Sequence, residues 1–168
     1  MLHKVALLGN VEMLMLLIEQ TGAKPDLVNS GLATPLHLAC RSNKEAVVKF
    51  LIGAGAEVNS QDEHGQTPLL ISCIHGFNNL VSILIESSIA GHLPEPIEID
   101  IADQRGLTAL NCASIKGDLG LVKTLISRGQ ADVNQTSPKG CTPLMYAGRG
   151  GYQEVVRYLL EKKASALK

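Results

Sequence analysis

Cys73 and His75, two residues apart in LISCIHGF, are the pair in this chain that comes nearest to a nucleophile and its base. A thiol attacks as thiolate only when a neighbouring base takes its proton and a third group orients that base. Two positions apart on a short helix, these side chains point to different sides, and no third group accompanies them. His3, His37, His64 and His92 form no constellation with them. Cys40, Cys73, Cys112 and Cys141 show neither the CxxC spacing of a zinc site nor the density of a disulfide scaffold. They read as reduced thiols of a cytoplasmic or nuclear protein. GRGG at 148–151 lacks the rest of a GxxxxGK[ST] phosphate loop. The residues therefore predict no catalytic centre, no metal and no cofactor, and the chain reads as not an enzyme.

Composition narrows the remaining classes. A chain of 168 residues with 45% hydrophobic content has enough apolar side chain for a folded core, which excludes wholesale disorder. Its longest apolar run, at 13–18, is far short of the roughly 18 to 20 residues a membrane span requires, and neither membrane crossing nor secretion is expected. A net charge of -1 gives no overall attraction to nucleic acid.

The elements that position these residues repeat. ATPLHLAC (33–40), QTPLLISC (66–73), LTALNCAS (107–114) and CTPLMYAG (141–148) are one phrase written four times. Their threonines, Thr34, Thr67, Thr108 and Thr142, are separated by 33, 41 and 34 residues. Nine positions after each stands Asn43, Gly76, Gly117 or Gly151, followed by a second apolar stretch; eight before each stands Asp26, Asn59, Asp100 or Asn134. Thr is a good N-cap, and Pro directly after it has its φ preset for a helix and no N–H to lose. Gly or Asn at the ninth position suits the left-handed turn that ends the helix. Each unit is thus helix, turn, helix and protruding turn. Helices of two or three turns are unstable alone in water, so the units must stack to bury their apolar faces.

TPLHLA (34–39), GAEVN (55–59), DEHGQTPL (62–69), DQRGLTAL (103–110), ADVN (131–134) and GCTPL (140–144) resemble the ankyrin-repeat family across nearly the whole chain. The resemblance implies one all-α solenoid domain, 1–168, of stacked helix-turn-helix units with protruding β-hairpin-like turns. Its repeats fall at about 1–25, 26–58, 59–99 with an insertion at 86–98, 100–133 and 134–168. Leu32 replaces the family's turn glycine, Asn43 its inter-helix glycine and Ala109 its helix-starting proline. In the insertion, Pro94 and Pro96 force an extended path after a helix lengthened by about a turn. It reads as a tolerated surface loop or as a docking segment. The first repeat carries Met15 where the others have Lys49, Ser82, Lys123 or Arg157, so an apolar face is left for upstream repeats, a partner or another copy.

The resemblance also locates binding, along hairpin tips and the exposed side of each first helix. Those offsets select Glu63, His64, Gln66, Gln104, Arg105, Leu107 and Lys139 on the tips, and Arg41, Ile74, His75, Ile115, Lys116 and Arg149 on the helices, with Leu7 and Leu8 in repeat one. Five positives and two histidines against one negative predict a basic groove, interleaved with apolar side chains that have no evident core to enter. Such a groove suits a partner protein or peptide carrying acidic and hydrophobic residues. Five repeats about 10 Å apart would hold an extended segment of about 12 to 15 residues. The other readings are a scaffold module that positions an enzyme in a larger protein, binding through 86–98 or the first repeat, and nucleic-acid binding. The latter is disfavoured because no aromatic residue falls on the groove offsets. Family likeness further marks Asn59 and Asn134 as positions for an asparaginyl hydroxylase.

Overall fold

A computed structural model describes residues 1–93 and 95–166. Among them are ten helices in five pairs and no strand: α1 (Leu2–Leu8) with α2 (Val11–Thr21), α3 (Pro35–Arg41) with α4 (Glu45–Gly53), α5 (Pro68–His75) with α6 (Asn78–Ile89), α7 (Ala109–Lys116) with α8 (Leu119–Ser127), and α9 (Pro143–Arg149) with α10 (Gln153–Ala166). First helices stack on first helices and second on second, which makes an all-α solenoid. Hairpin-like turns project between the pairs, closed by Asn29 N–H to Ala33 O, Asp62 to Gln66, Asp103 to Leu107 and Ser137 to Cys141, at 2.9–3.0 Å.

Local chemistry sets each start and stop. Thr34, Thr67, Thr108 and Thr142 all cap, their hydroxyls accepting from the N–H three residues on. Ala109 lacks proline's preset φ, but Thr108 still caps, so α7 forms. The turn between helices is left-handed: Gly76 has φ 78°, and Asn43 takes the same role at 53° with the side chain that best tolerates it. Helix α6 runs 12 residues against nine in α4, the added turn expected before the insertion. Beyond it, Asn59 donates its amide to Pro96 O and accepts from Glu98 N–H, both at 2.9 Å, which fixes this part of the loop. Pro94 lies outside the described residues.

The core is built across junctions. Val47, Val48, Leu51 and Ile52 in α4 are buried, as are their counterparts Leu80, Val81, Leu84 and Ile85 in α6. In α2 the first of these positions, Met13, is exposed, whereas in α10 the last, Leu160, is exposed. The first and third positions of the motif therefore face the preceding repeat and the second and fourth the following one. Both ends of the array present apolar side chains that an interior repeat would cover.

His37 clamps one junction. Its Nδ1 accepts from Thr34 N–H at 3.0 Å and lies 2.8 Å from the Thr34 hydroxyl, while its Nε2–H reaches Ser60 O and Gln66 O of the next repeat at 3.0 Å. His3 makes the corresponding bond to Ala33 O. At the same offset in α7 stands Asn111, fully buried, and neither of its amide atoms nor Ser114 Oγ has a hydrogen-bond partner among the described residues. The hairpin tips repeat the contrast. Glu63 N–H bonds Gly31 O at 2.9 Å and Gln104 N–H bonds His64 O at 3.0 Å, but the next donor in the series is Pro138, which has no N–H. Pro138 lies instead against Gly106, where a Cβ would come within 2.1 Å of its ring. The junction between the fourth and fifth repeats keeps one hydrogen bond at its base, from the Gln135 side chain to Asp100 O, beside the bond from Asp132 N–H to the Asp100 carboxylate.

Two outcomes follow for stability. Burial lowers the His37 pKa below its ordinary 6.5, against the upward pull of the Gln66 and Ser60 carbonyls and of Asp62. The unfolded chain then binds a proton that the folded one refuses, so stability is full above 6.5 and falls as pH drops through that value toward the folded pKa. His37→Leu should be less stable at neutral pH by about 1–3 kcal/mol and should lose that part of the slope in thermal melts between about pH 7.5 and 5.5. A variant with the wild-type slope would contradict this role. At the other junction, amides of α9 and α10 should exchange at least about tenfold faster than those of α3 to α6. Asn111→Leu, copying Leu70 at the same offset, should slow that exchange and add about 1 kcal/mol; a destabilised variant would show that the amide has a partner.

Candidate functional site

The hairpin tips and the last turns of the first helices form one continuous face, held by the tip-to-tip bonds and by Gln104 Nε2–H to Glu63 O at 2.6 Å. Each tip is organised by the side chain five residues before the capping threonine. Asp62 Oδ1 accepts from His64 and Gln66 N–H at 2.9 Å, and Asp103 Oδ1 from Arg105 at 2.9 Å and Leu107 at 3.0 Å. Asn29 Oδ1 likewise accepts two N–H groups and Ser137 Oγ one, in each case without a charge.

That charge alters the face. Asp62 takes Arg41 across a repeat junction at 3.1 Å, and Asp103 takes Arg105 at 2.8 Å, with the two carboxylate side chains only 2% and 1% exposed. The five-cation row read from the sequence is therefore two ion pairs plus three cations, Lys116, Lys139 and Arg149. These three are exposed and make no ion pair among the described residues. Glu63 is exposed 3.9 Å from His64, and His75 stacks on Phe77 with ring centroids 5.4 Å apart.

The apolar members divide as well. Leu7, Leu8 and Ile115 are exposed as expected, but Ile74 and Leu107 are half-buried and pack against the core, which corrects the reading that they have no core to enter. Gln66 is half-buried, its carbonyl held by His37. Ala33, at a tip offset, is buried. The residue that the offsets passed over is Leu32, 54% exposed with φ 57° where the other hairpins have Gly65, Gly106 and Gly140. Its signal was the missing turn glycine.

Of the marked asparagines, Asn59 has both amide atoms engaged by the insertion, while Asn134 is exposed. Burial raises the Cys40 thiol to about 12 and the Cys112 thiol to about 11, and pushes Cys73 well up, so all three are protonated and poor nucleophiles at neutral pH. No group of three or more His, Cys, Asp or Glu able to hold a metal occurs among the described residues. A cleft of about 420 Å³ runs between the hairpin stems and the insertion, lined by Asp26, Glu57, Asn59 and Glu95, and shares no residue with the groove face.

A family model of ankyrin repeats matches three times, over residues 1–62, 43–93 and 88–167. The chain belongs to the ankyrin-repeat family. It is 34% identical to the B-cell lymphoma 3 protein of Homo sapiens over 87% of its own length and 32% of that protein. It is 39% identical to NF-kappa-B inhibitor alpha of Homo sapiens over 62% of its length and 32% of that protein. With the putative ankyrin repeat protein YahD of Escherichia coli (strain K12) it shares 36% over 79% of its length and 64% of that protein. The chain thus spans about a third of the first two relatives. An ankyrin array is a protein-protein interaction module, and no helix among the described residues is long and apolar enough to cross a membrane.

The two members of the tip ion pair should separate sharply on mutation. Asp103→Ala leaves two backbone N–H groups and Arg105 unpartnered and should cost about 3 kcal/mol in urea denaturation. Arg105→Ala removes a side chain 64% exposed and should cost no more than about 1 kcal/mol. Equal losses would mean that the ion pair, rather than the turn, is what Asp103 maintains.

Proposed function

We propose that this array is a non-enzymatic adaptor of the cytoplasm or nucleus that binds a segment of a partner protein along the groove face, the segment carrying acidic and hydrophobic residues. The observation that carries the reading is the set of three exposed cations that make no ion pair among the described residues, on the same face as Leu7, Leu8, Leu32 and Ile115. Solvated apolar side chains and unneutralised charge are what a peptide of opposite charge would cover. NF-kappa-B inhibitor alpha is named for its action on NF-kappa-B, and that mode, one protein acting on another, agrees with an adaptor role. Gln104 and Arg105, both exposed, line the face and brace its tips through Glu63 O and Asp103, while Glu63, His64 and His75 line its middle.

A second reading has its own observation. Met13, Met15 and Leu16 are exposed on the first repeat, and the insertion forms one wall of the acidic cleft, so either would serve a scaffold that positions an enzyme in a larger protein. For nucleic acid the case is weaker: all five aromatics are half-buried, and none lies on the groove face to stack a base.

The test compares proteins captured by the wild-type chain with those captured by Lys116→Glu, Lys139→Glu, Arg149→Glu. Arg105 is left unchanged because a glutamate there would sit against buried Asp103. A groove ligand should be lost from the variant, with affinity at least about tenfold lower and a melting temperature unchanged. Identical captured sets would move binding to the insertion or the first repeat.

A further inference from the structure

Cationic and apolar character are distributed unequally along the groove. At the end formed by repeats one and two, Arg41 is neutralised by Asp62, Lys44 is half-buried against Gly9, and Lys4 is exposed one turn before Leu8. At the end formed by repeats four and five, Lys116, Lys139 and Arg149 are exposed without ion pairs, Arg105 is balanced by Asp103, and no exposed carboxylate is among the groove positions, since Glu63 belongs to repeat three. Apolar exposure runs the other way. Leu7, Leu8 at 65% and Leu32 at 54% gather at the first end, and Ile115 is their counterpart in repeat four. Leu32 adds an independent mark, because a leucine in the left-handed region carries a backbone strain that the glycines of the other hairpins avoid. Strain retained at an exposed apolar side chain is a sign of use.

We infer that the groove fixes the direction of its ligand: an apolar anchor of the partner seats on Leu7, Leu8 and Leu32, and an acidic cluster of the same segment lies over Lys116, Lys139 and Arg149. The inference rests on the groove reading above and adds a polarity to it. Three to four repeat steps of about 10 Å separate the two ends, so about 9 to 12 extended residues separate anchor from cluster. Buried apolar contact supplies affinity at one end, and the unpaired cations supply register and orientation at the other.

The experiment uses the full chain, isotope-labelled, and two peptides of about 14 residues with a leucine pair at one end and four glutamates at the other, written in both chain directions. A spin label at the glutamate end should broaden amides around Lys116 and Lys139, and one at the leucine end should broaden those around Leu8 and Leu32, whichever way the peptide runs. Leu32→Gly, which relieves the strained turn and so keeps the fold, should weaken binding about tenfold. Lys116→Glu with Lys139→Glu should weaken it similarly and flatten its dependence on salt. Broadening that is reversed, or the same from both labels, would overturn the polarity while leaving the groove as the binding face. Shifts confined to the insertion cleft or the end faces, or no binding at all, would overturn the groove reading and the polarity with it.

Discussion

Everything in this molecule depends on the contact between one repeat and the next. Helices of seven to nine residues such as α3, α4 and α9 are too short to persist in water, and each is held by apolar side chains whose partners belong to a neighbouring unit. Val48 and Ile52 are buried because α6 covers them; Leu160 occupies the same position as Ile52 and is exposed because no described helix follows. Stability in such an array is a sum of junction energies. The polar features between repeats therefore matter individually, and they differ. The His37 imidazole, the Arg41 ion pair with Asp62 and the tip bonds from Glu63 and Gln104 tie repeats two to four together. Asn111 and Pro138 interrupt the series at the last junction.

The same junctions build the proposed binding face. The tips at Glu63 and Gln104 stay in line because each donates to the carbonyl of the one before, and each tip keeps its shape because a side-chain oxygen at its base accepts backbone N–H groups, two at Asn29, Asp62 and Asp103 and one at Ser137. Where that oxygen is a carboxylate, its charge must be met inside the protein, and Arg41 and Arg105 meet it. Where it is the amide of Asn29 or the hydroxyl of Ser137, no arginine is called for, and the cation beside the Ser137 turn, Lys139, stays free for another molecule. The chemistry that closes the turns thus decides which cations are paired within the protein and which are not.

The sequence made the fold legible because its information is local. Threonine caps, glycine turns and four-fold apolar stretches recur at fixed offsets, and each acts within a few residues of itself. The extra turn of α6 was legible for the same reason. The site was legible only by class. Offsets could say that Arg41, Arg105, Lys116, Lys139 and Arg149 share a face, but not that Asp62, 21 residues from Arg41, comes within 3.1 Å of it. Spacing leaves Ile74 and Leu107 free for a partner, because the half-core beneath them is assembled from other repeats. Leu32 went unweighted because a residue replacing glycine reads as a departure, while its exposed, strained placement is a property of the folded hairpin.

The groove and its junctions also bear on each other. Two of the three unpaired cations, Lys139 and Arg149, belong to the repeat whose junction lacks the clamp and the tip bond. A segment lying across repeats four and five would bridge the junction from outside, so its binding free energy would add to the contact that Asn111 and Pro138 leave weak. The apolar end of the face is built differently, since His3 ties α1 to Ala33 beneath Leu32. A ligand of the proposed kind would meet, at its apolar end, a surface already held by the His3 bond, and at its acidic end would add contacts to the weaker junction. Under the proposed binding mode, affinity and array stability would be linked at one end of the groove and nearly independent at the other.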